Sequence, residues 1–193
     1  MLFGGIVMDF YSSRIKLAID FAARTHAHQI RKSTGVPYIV HPLAVFSMVA
    51  CALRVSQLGD DYEASNIMVA ALLHDTIEDS LPDDPVTRES LCEEFGEQVA
   101  EIVDQMSIRK DGRTWKERKC AGIQKIKGML WGAMLVKAAD CIANMTDFIC
   151  QYRRKEDAIL KDFGADKADQ LWNFDETYLA LRDNWSDNPL LPD

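Results

Sequence analysis

The hydrophobic positions of this chain repeat mainly with the 3.6-residue period of an α-helix. Between residues 10 and 25, and again between 87 and 106, apolar side chains recur every three or four positions, as in a helix with one buried face. No segment shows the alternation of a half-buried strand. The pattern predicts an all-α bundle of about seven or eight helices, with helical segments at 10–25, 43–58, 66–79, 87–106, 114–131, 133–150 and 166–184.

One stretch, 66–73, is apolar at every position after its first, which predicts a helix buried on all sides. Directly behind it stand His74, Asp75, Glu78 and Asp79. If the helix continues, His74 lies over Glu78 and Asp75 over Asp79, because residues four apart share a helix face. Desolvated carboxylates require hydrogen bonds or a cation, and a divalent metal would compensate them. The alternative is a polar helix end in contact with solvent.

Two other segments offer metal ligands of the same chemistry. His41 precedes Pro42, and proline is favoured in the first turn of a helix, so His41 is expected just outside a helix start. Asp140 follows the small and apolar run 135–139, which predicts an internal carboxylate. Two imidazoles and two carboxylates suit Mn²⁺ or Fe²⁺ better than the thiolate-rich sites of structural zinc. The predicted single metal site consists of His41, His74, Asp75 and Asp140.

Composition narrows the class of protein further. The chain has 193 residues, 48% of them hydrophobic, and no linker-like stretch, which predicts one domain with a core of about 10–184 and a tail from 185 to 193. The end of the tail, 188–193, is expected to fray. A formal charge of −8 argues against general affinity for DNA, RNA or an anionic membrane. Any phosphate binding must therefore depend on a local basic patch.

Cysteine usage and the amino terminus indicate the compartment. The five cysteines form no CxxC pair and are odd in number, which suits a reducing environment. The apolar start, 1–8, is too short and uncharged for a signal peptide, and no apolar run is long enough to span a membrane. We therefore expect a cytoplasmic protein. Its oligomeric state is left open.

Two motifs carry a resemblance to a known family. The first is Arg31-Lys-Ser-Thr-Gly-Val-Pro-Tyr-Ile-Val-His-Pro42, and the second is Leu72-Leu-His-Asp-Thr-Ile-Glu-Asp79. Together they resemble the HD-domain metal-dependent phosphohydrolases and, within them, the free-standing (p)ppGpp hydrolases of the RelA/SpoT family. The resemblance spans 21–145 and implies an HD-type helical bundle.

The resemblance also implies an activity, which is hydrolysis of the 3′-pyrophosphate of ppGpp or pppGpp to GDP or GTP and pyrophosphate. It assigns Arg31 and Lys32 to nucleotide binding. Asn144 stands one turn after Asp140 and is expected to reach a substrate sugar or phosphate. Glu78 and Asp79 lie one turn beyond the ligands, so they are expected to orient water or move its proton.

Several residues depart from the family pattern and leave the substrate open. His28 replaces a glycine, and Cys141, Ala143 and Asp147 stand where an arginine, a histidine and a threonine are usual. Asp147 places an acid near the expected phosphates, so Asp147→Thr is expected to raise kcat/KM for ppGpp. The alternatives are an HD phosphohydrolase for another nucleotide, such as an NADPH phosphatase or a nucleotidase, and a weakly catalytic nucleotide-sensing module.

A basic run at 109–119 has two interpretations. It holds six Lys and Arg residues against two acids in an otherwise acidic chain. It either screens a polyphosphate near the metal or forms a solvated face, and the sequence favours neither.

Overall fold

The computed structural model describes residues 12–32, 34–108 and 111–191, without the side chains of residues 162 and 163. Eight helices of eight or more residues lie within these ranges, and no strands, only two isolated β-bridges. This confirms the predicted all-α class and the number of helices. The helices, including two of four residues each, are α1 (Ser13–Thr25), α2 (Val40–Ser56), α3 (Asp61–Leu73), α4 (Thr76–Asp79), α5 (Arg88–Phe95), α6 (Glu97–Met106), α7 (Trp115–Lys125), α8 (Trp131–Lys155), α9 (Leu160–Phe163) and α10 (Lys167–Asn184).

Helix α3 is the centre of the packing, as its apolar sequence predicts. It contacts α1, α2, α6 and α8, and every residue from Ile67 to Leu73 is buried. Ala70 and Ala71 have no exposed surface at all. Their small side chains suit the close approach of neighbouring helices. One connected hydrophobic cluster runs from Ile15 in α1 to Leu181 in α10.

The predicted helix starts are set by side-chain caps. Thr87 and Thr114 each accept a hydrogen bond from the backbone of the third helical residue, and a side chain returns the bond in both cases. The capping box between Thr114 and Glu117 is the one that the sequence predicts. Asp60 caps α3 in the same way, and Asp166 caps α10. These caps determine where the helices that border the site begin.

Several predicted helix boundaries were wrong, and three of these differences change the path of the chain. The segment 87–106 forms two helices, because Gly96 adopts φ +92°, which an α-helix does not accommodate. Helix α3 ends at Leu73 instead of continuing to Asp79, and the chain turns at His74 and Asp75 before α4. His41 lies inside the first turn of α2, not outside it, since α2 begins at Val40.

The carboxyl-terminal tail also differs from its prediction. Asn188 is buried, and Leu190 and Leu191 pack against the core, so residues 188–191 do not fray. The Asn188 side chain accepts a hydrogen bond from the backbone of Leu190, which stabilises a turn. The predictions for 1–11, Ser33, Arg109, Lys110 and 192–193 lie outside the described residues. Within the described residues, no helix is both long and apolar enough to cross a membrane.

Candidate metal centre and substrate cavity

Helices α2 and α8 and the turn after α3 bring the four predicted metal ligands together. The ligand atoms of His41, His74 and Asp75 all lie within 4.8 Å of one another. Asp75 Oδ2 is 3.1 Å from His74 Nε2 and 3.5 Å from His41 Nε2. Asp140 Oδ1, from α8, is 3.3 Å from His41 Nε2 and 3.9 Å from His74 Nε2. The turn at His74 and Asp75 makes this convergence possible, because it directs both side chains to one point.

His74 has the properties of a metal ligand. It is buried, and its Nδ1 donates to the carbonyl of Ala71 at 2.9 Å, which leaves Nε2 as the lone-pair nitrogen of the neutral ring. His74 Nε2 is buried without a hydrogen-bond partner. Burial lowers the pKa of His74, but Asp75 and Asp140 outweigh it and raise that pKa to about 9. The site thus favours positive charge at Nε2, and a divalent cation there would take the place of the proton.

Asp140 is kept ionised by its neighbours. Lys137 Nζ donates to its Oδ2 at 3.1 Å, and Asn144 Nδ2 donates to its Oδ1 at 2.5 Å. Burial opposes charge on Asp140 and on Lys137, but their attraction holds the pKa of Asp140 well below its usual value and raises that of Lys137. An ionised carboxylate in this position is ready to bind a cation.

The loop between α1 and α2 supports the centre through contacts that the sequence did not predict. Tyr38 donates its hydroxyl to Asp75 Oδ2 at 2.8 Å. Burial, and next the charge of Asp75, raise the pKa of Tyr38, so the phenol remains a donor. The ring of buried His26 lies 4.9 Å from the Tyr38 ring, and its Nδ1 bonds Gln29 Oε1 at 2.9 Å. Gln29 in turn donates to the backbone carbonyl of Asp79.

Glu78 and Asp79 line the same cavity as the metal cluster and are half-buried. They belong to α4, the short helix that follows the turn at Asp75. Glu78 Oε2 accepts a hydrogen bond from the backbone of Ile108 at 3.3 Å, which orients its carboxylate. The two acids are therefore placed beside the cluster, as the sequence predicts.

Arg31 forms hydrogen bonds with Asp147 and Asn144. The sequence predicts that Arg31 and Asn144 each contact the substrate and does not predict a contact between them. Arg31 Nε and Nη2 both donate to Asp147 Oδ2, at 3.2 and 2.5 Å, and Nη2 also donates to Asn144 Oδ1 at 3.0 Å. Arg31, Lys32 and Asn144 all line the cavity, with Lys32 exposed. His28 is exposed on the surface and does not line it. The structure thus brings the predicted substrate residues to the cavity but pairs two of them with each other.

The cavity has a volume of about 570 Å³, which is the size of a small-molecule site. Two residues of the basic run, Arg118 and Lys119, line it from α7. Arg113 pairs instead with Asp111, and Lys116 with Asp169, so these two belong to a solvated face. One part of the basic run therefore lines the cavity, and another part forms a solvated face. The sequence did not predict the wall formed by α10, where Gln170, Asn173, Phe174 and Thr177 line the cavity.

A helical bundle with two histidines and two aspartates around one point is the arrangement of an HD-type metal centre. The family model of the HD domain matches residues 18–164, and the chain belongs to this family. The match contains all four residues of the cluster. The family therefore implies a divalent metal, and the donor set and the unpartnered His74 Nε2 fit one.

Particular relatives carry more specific names. The chain is 35% identical over 143 residues to the human protein named guanosine-3′,5′-bis(diphosphate) 3′-pyrophosphohydrolase MESH1, and the alignment covers 72% of each chain. It is 42% identical over 130 residues to a Haemophilus influenzae protein named guanosine-3′,5′-bis(diphosphate) 3′-pyrophosphohydrolase, covering 64% of this chain. This chain spans only 17% of the length of that bacterial relative.

A solved structure shares the fold. It is described as a metazoan ortholog of SpoT that hydrolyzes ppGpp, and it superposes with a TM-score of 0.61 at 24% sequence identity. The superposition covers 88% of this chain and 96% of that one. The HD-type bundle predicted from the sequence is therefore confirmed.

Proposed function

We propose that this chain is a metal-dependent hydrolase that removes the 3′-pyrophosphate of ppGpp and pppGpp, giving GDP or GTP and pyrophosphate. The observation that carries the proposal is the convergence of His41, His74, Asp75 and Asp140 on the wall of a nucleotide-sized cavity. The names of the human and bacterial relatives support the substrate. The hydrophobic cluster, to which α1 to α6, α8 and α10 contribute, supports a single HD hydrolase domain within 1–193.

The proposed cofactor is one divalent ion, Mn²⁺ in the first place and Fe²⁺ in the second, held by these four side chains. Mixed imidazole and carboxylate donors suit these ions. When bound, the metal supplies Lewis-acid polarisation of a phosphoryl oxygen and makes a water more acidic. All five cysteines are free, which supports a reducing, cytoplasmic compartment.

The remaining roles belong to side chains around the cluster. Glu78 and Asp79 orient the attacking water and accept its proton, since both carboxylates line the cavity beside the ligands. Arg118 and Lys119 line the cavity from α7 and neutralise part of the negative charge of the substrate's phosphates. Lys137, on α8, keeps Asp140 ionised and adds a further positive charge to the cavity.

One observation favours a second candidate, an HD phosphohydrolase for another nucleotide such as an NADPH phosphatase. Asp147 forms an ion pair with the guanidinium of Arg31. The positive charge of Arg31 is therefore partly neutralised at the end of the cavity formed by α8. A substrate with fewer phosphates at that end would lose less binding energy there.

A product-release screen distinguishes the two candidates. Mn²⁺-loaded protein is incubated with ppGpp, NADPH and common nucleotides, and pyrophosphate and orthophosphate are measured separately. We expect the highest rate for pyrophosphate release from ppGpp. Faster orthophosphate release from NADPH or another nucleotide would transfer the assignment to the second candidate and leave the metal centre in place. The same screen with chelator gives the metal-independent background.

Tyr38→Phe is expected to weaken metal binding by about 10- to 100-fold while the fold is retained, because outer hydrogen bonds orient a ligating carboxylate. The change removes only the hydroxyl that donates to Asp75. Mn²⁺ titration by calorimetry measures the effect. Tyr62→Phe is the matched control, since Tyr62 is 68% exposed on α3. Equal metal affinity in both variants would show that Tyr38 does not support the centre.

A further inference from the structure

Four polar residues form a series of contacts that runs from Asp147, beside the cavity, through two lining residues to a proposed metal ligand. Asp147 bonds two nitrogens of Arg31, Arg31 bonds the Asn144 carbonyl oxygen, and the Asn144 amide donates to Asp140. The Arg31 guanidinium also lies 5.5 Å from the centre of the Tyr38 ring. These contacts join the loop before α2 to helix α8. They also fix the orientation of the Asn144 amide, with its oxygen toward Arg31 and its nitrogen toward Asp140.

The ion pair between Arg31 and Asp147 is partly buried, so solvent screens it less than a fully exposed pair. The Arg31 side chain is 12% exposed and that of Asp147 is 36% exposed. Arginine binds carboxylates and phosphates through the same planar set of N–H donors. A phosphate that approaches Nε and Nη2 of Arg31 must therefore displace the Asp147 carboxylate, and the negative charge of Asp147 opposes its approach.

Displacement would have a second consequence. Asn144 now gives its oxygen to Arg31 and its nitrogen to Asp140, so both ends of the amide are bonded to protein groups while Arg31 is paired with Asp147. A ligand that separates Arg31 from Asp147 also changes the partner of Asn144. Binding of an anion to the Nε–Nη2 edge of Arg31 thus depends on opening the Asp147–Arg31 pair.

We propose that Asp147 is a specificity-determining residue that competes with the phosphate of the substrate for Arg31. This inference rests on the proposed function, because it assumes that the cavity receives a phosphorylated ligand. Asp147 does not act on the reacting atoms. It lowers the affinity of the α8 end of the cavity for any anion that binds Arg31.

A double-mutant cycle tests the competition. Binding of inorganic pyrophosphate to the Mn²⁺-loaded protein is measured by calorimetry for wild type, Asp147→Asn, Arg31→Gln and the double variant. Asp147→Asn is expected to tighten pyrophosphate binding by about five- to tenfold, the size of a partly buried ion pair. In the Arg31→Gln background the same change is expected to alter affinity by less than about twofold, because the competition no longer exists.

The control is Asp175→Asn, which removes the same charge from an exposed position on α10 that does not line the cavity. An equal gain from Asp175→Asn, an equal gain in both Arg31 backgrounds, or no gain from Asp147→Asn would each overturn the proposal. So would a failure of pyrophosphate to bind to any variant.

The same proteins are then assayed with ppGpp to separate this inference from the proposed function. Under the proposal, Asp147→Asn and Asp147→Thr lower KM for ppGpp with little change in kcat. If Asp147→Asn tightens pyrophosphate binding only when Arg31 is present, but ppGpp is not hydrolysed, the proposed function is refuted and the competition for Arg31 is supported. If ppGpp is hydrolysed but Asp147→Asn has the same effect on pyrophosphate binding in both Arg31 backgrounds, the proposed function is supported and the competition is refuted.

Discussion

Protein purified with Mn²⁺ is expected to lose its metal when Asp140 or His74 is replaced by alanine. Each change removes one of four donors that converge from separate parts of the chain. Turnover should fall by about 10³-fold or more, because the metal supplies several kcal/mol of transition-state stabilisation. Elemental analysis gives the metal content, and rates of product release give the turnover.

The control for the loss of metal is Asp175→Ala, which removes an exposed carboxylate from α10. This variant should retain the metal and the activity of the wild type. Stoichiometric metal in both Asp140→Ala and His74→Ala would refute the four-residue site. Circular dichroism of each variant shows whether the helices remain, since Asp140→Ala also leaves Lys137 without its carboxylate partner.

Glu78→Gln and Asp79→Asn are expected to retain the metal and to lower turnover by ~10² or more. Both changes remove a proton acceptor while they preserve the size of the side chain, and general-base catalysis contributes effects of this order. Glutamine at position 78 can still accept the hydrogen bond from Ile108 through its amide oxygen. Metal content and turnover are measured on the same preparations.

The two readouts separate the possible roles of these acids. Loss of metal in either variant would make that residue a ligand. Unchanged turnover with full metal content would show that it takes no part in moving the proton. The comparison is direct because neither substitution adds or removes a heavy atom.

The core and the ligand set could be predicted because their signals are local. The apolar run 66–73 predicts a buried helix, and the caps at Thr87 and Thr114 are predicted from residues three apart. The ligand types at His41 and Asp140 also follow from their own segments. Their meeting point does not follow from spacing alone, and the family resemblance over 21–145 was needed to bring these segments together.

The features that the sequence missed depend on contacts between distant segments. Arg31 and Asp147 are 116 positions apart, and Tyr38 and Asp75 are 37 apart, so no periodicity links them. The break at Gly96 depends on a positive φ, although glycine also occurs inside helices. The turn at His74 and Asp75 could not be predicted, because the four-residue spacing of these residues from Glu78 and Asp79 is compatible with one continuous helix and with two helices joined by a turn.

The proposed reaction at the metal centre is cleavage of the bond between the ribose 3′-oxygen and the pyrophosphate of ppGpp. The most direct test is product identification by ³¹P NMR after reaction of ppGpp with Mn²⁺-loaded protein, with Asp140→Ala as the reference. We expect equal amounts of GDP and pyrophosphate from the wild type, and neither product from Asp140→Ala. Orthophosphate with a shortened guanosine polyphosphate, or ppGpp left intact by the metal-loaded wild type, would contradict the proposed reaction.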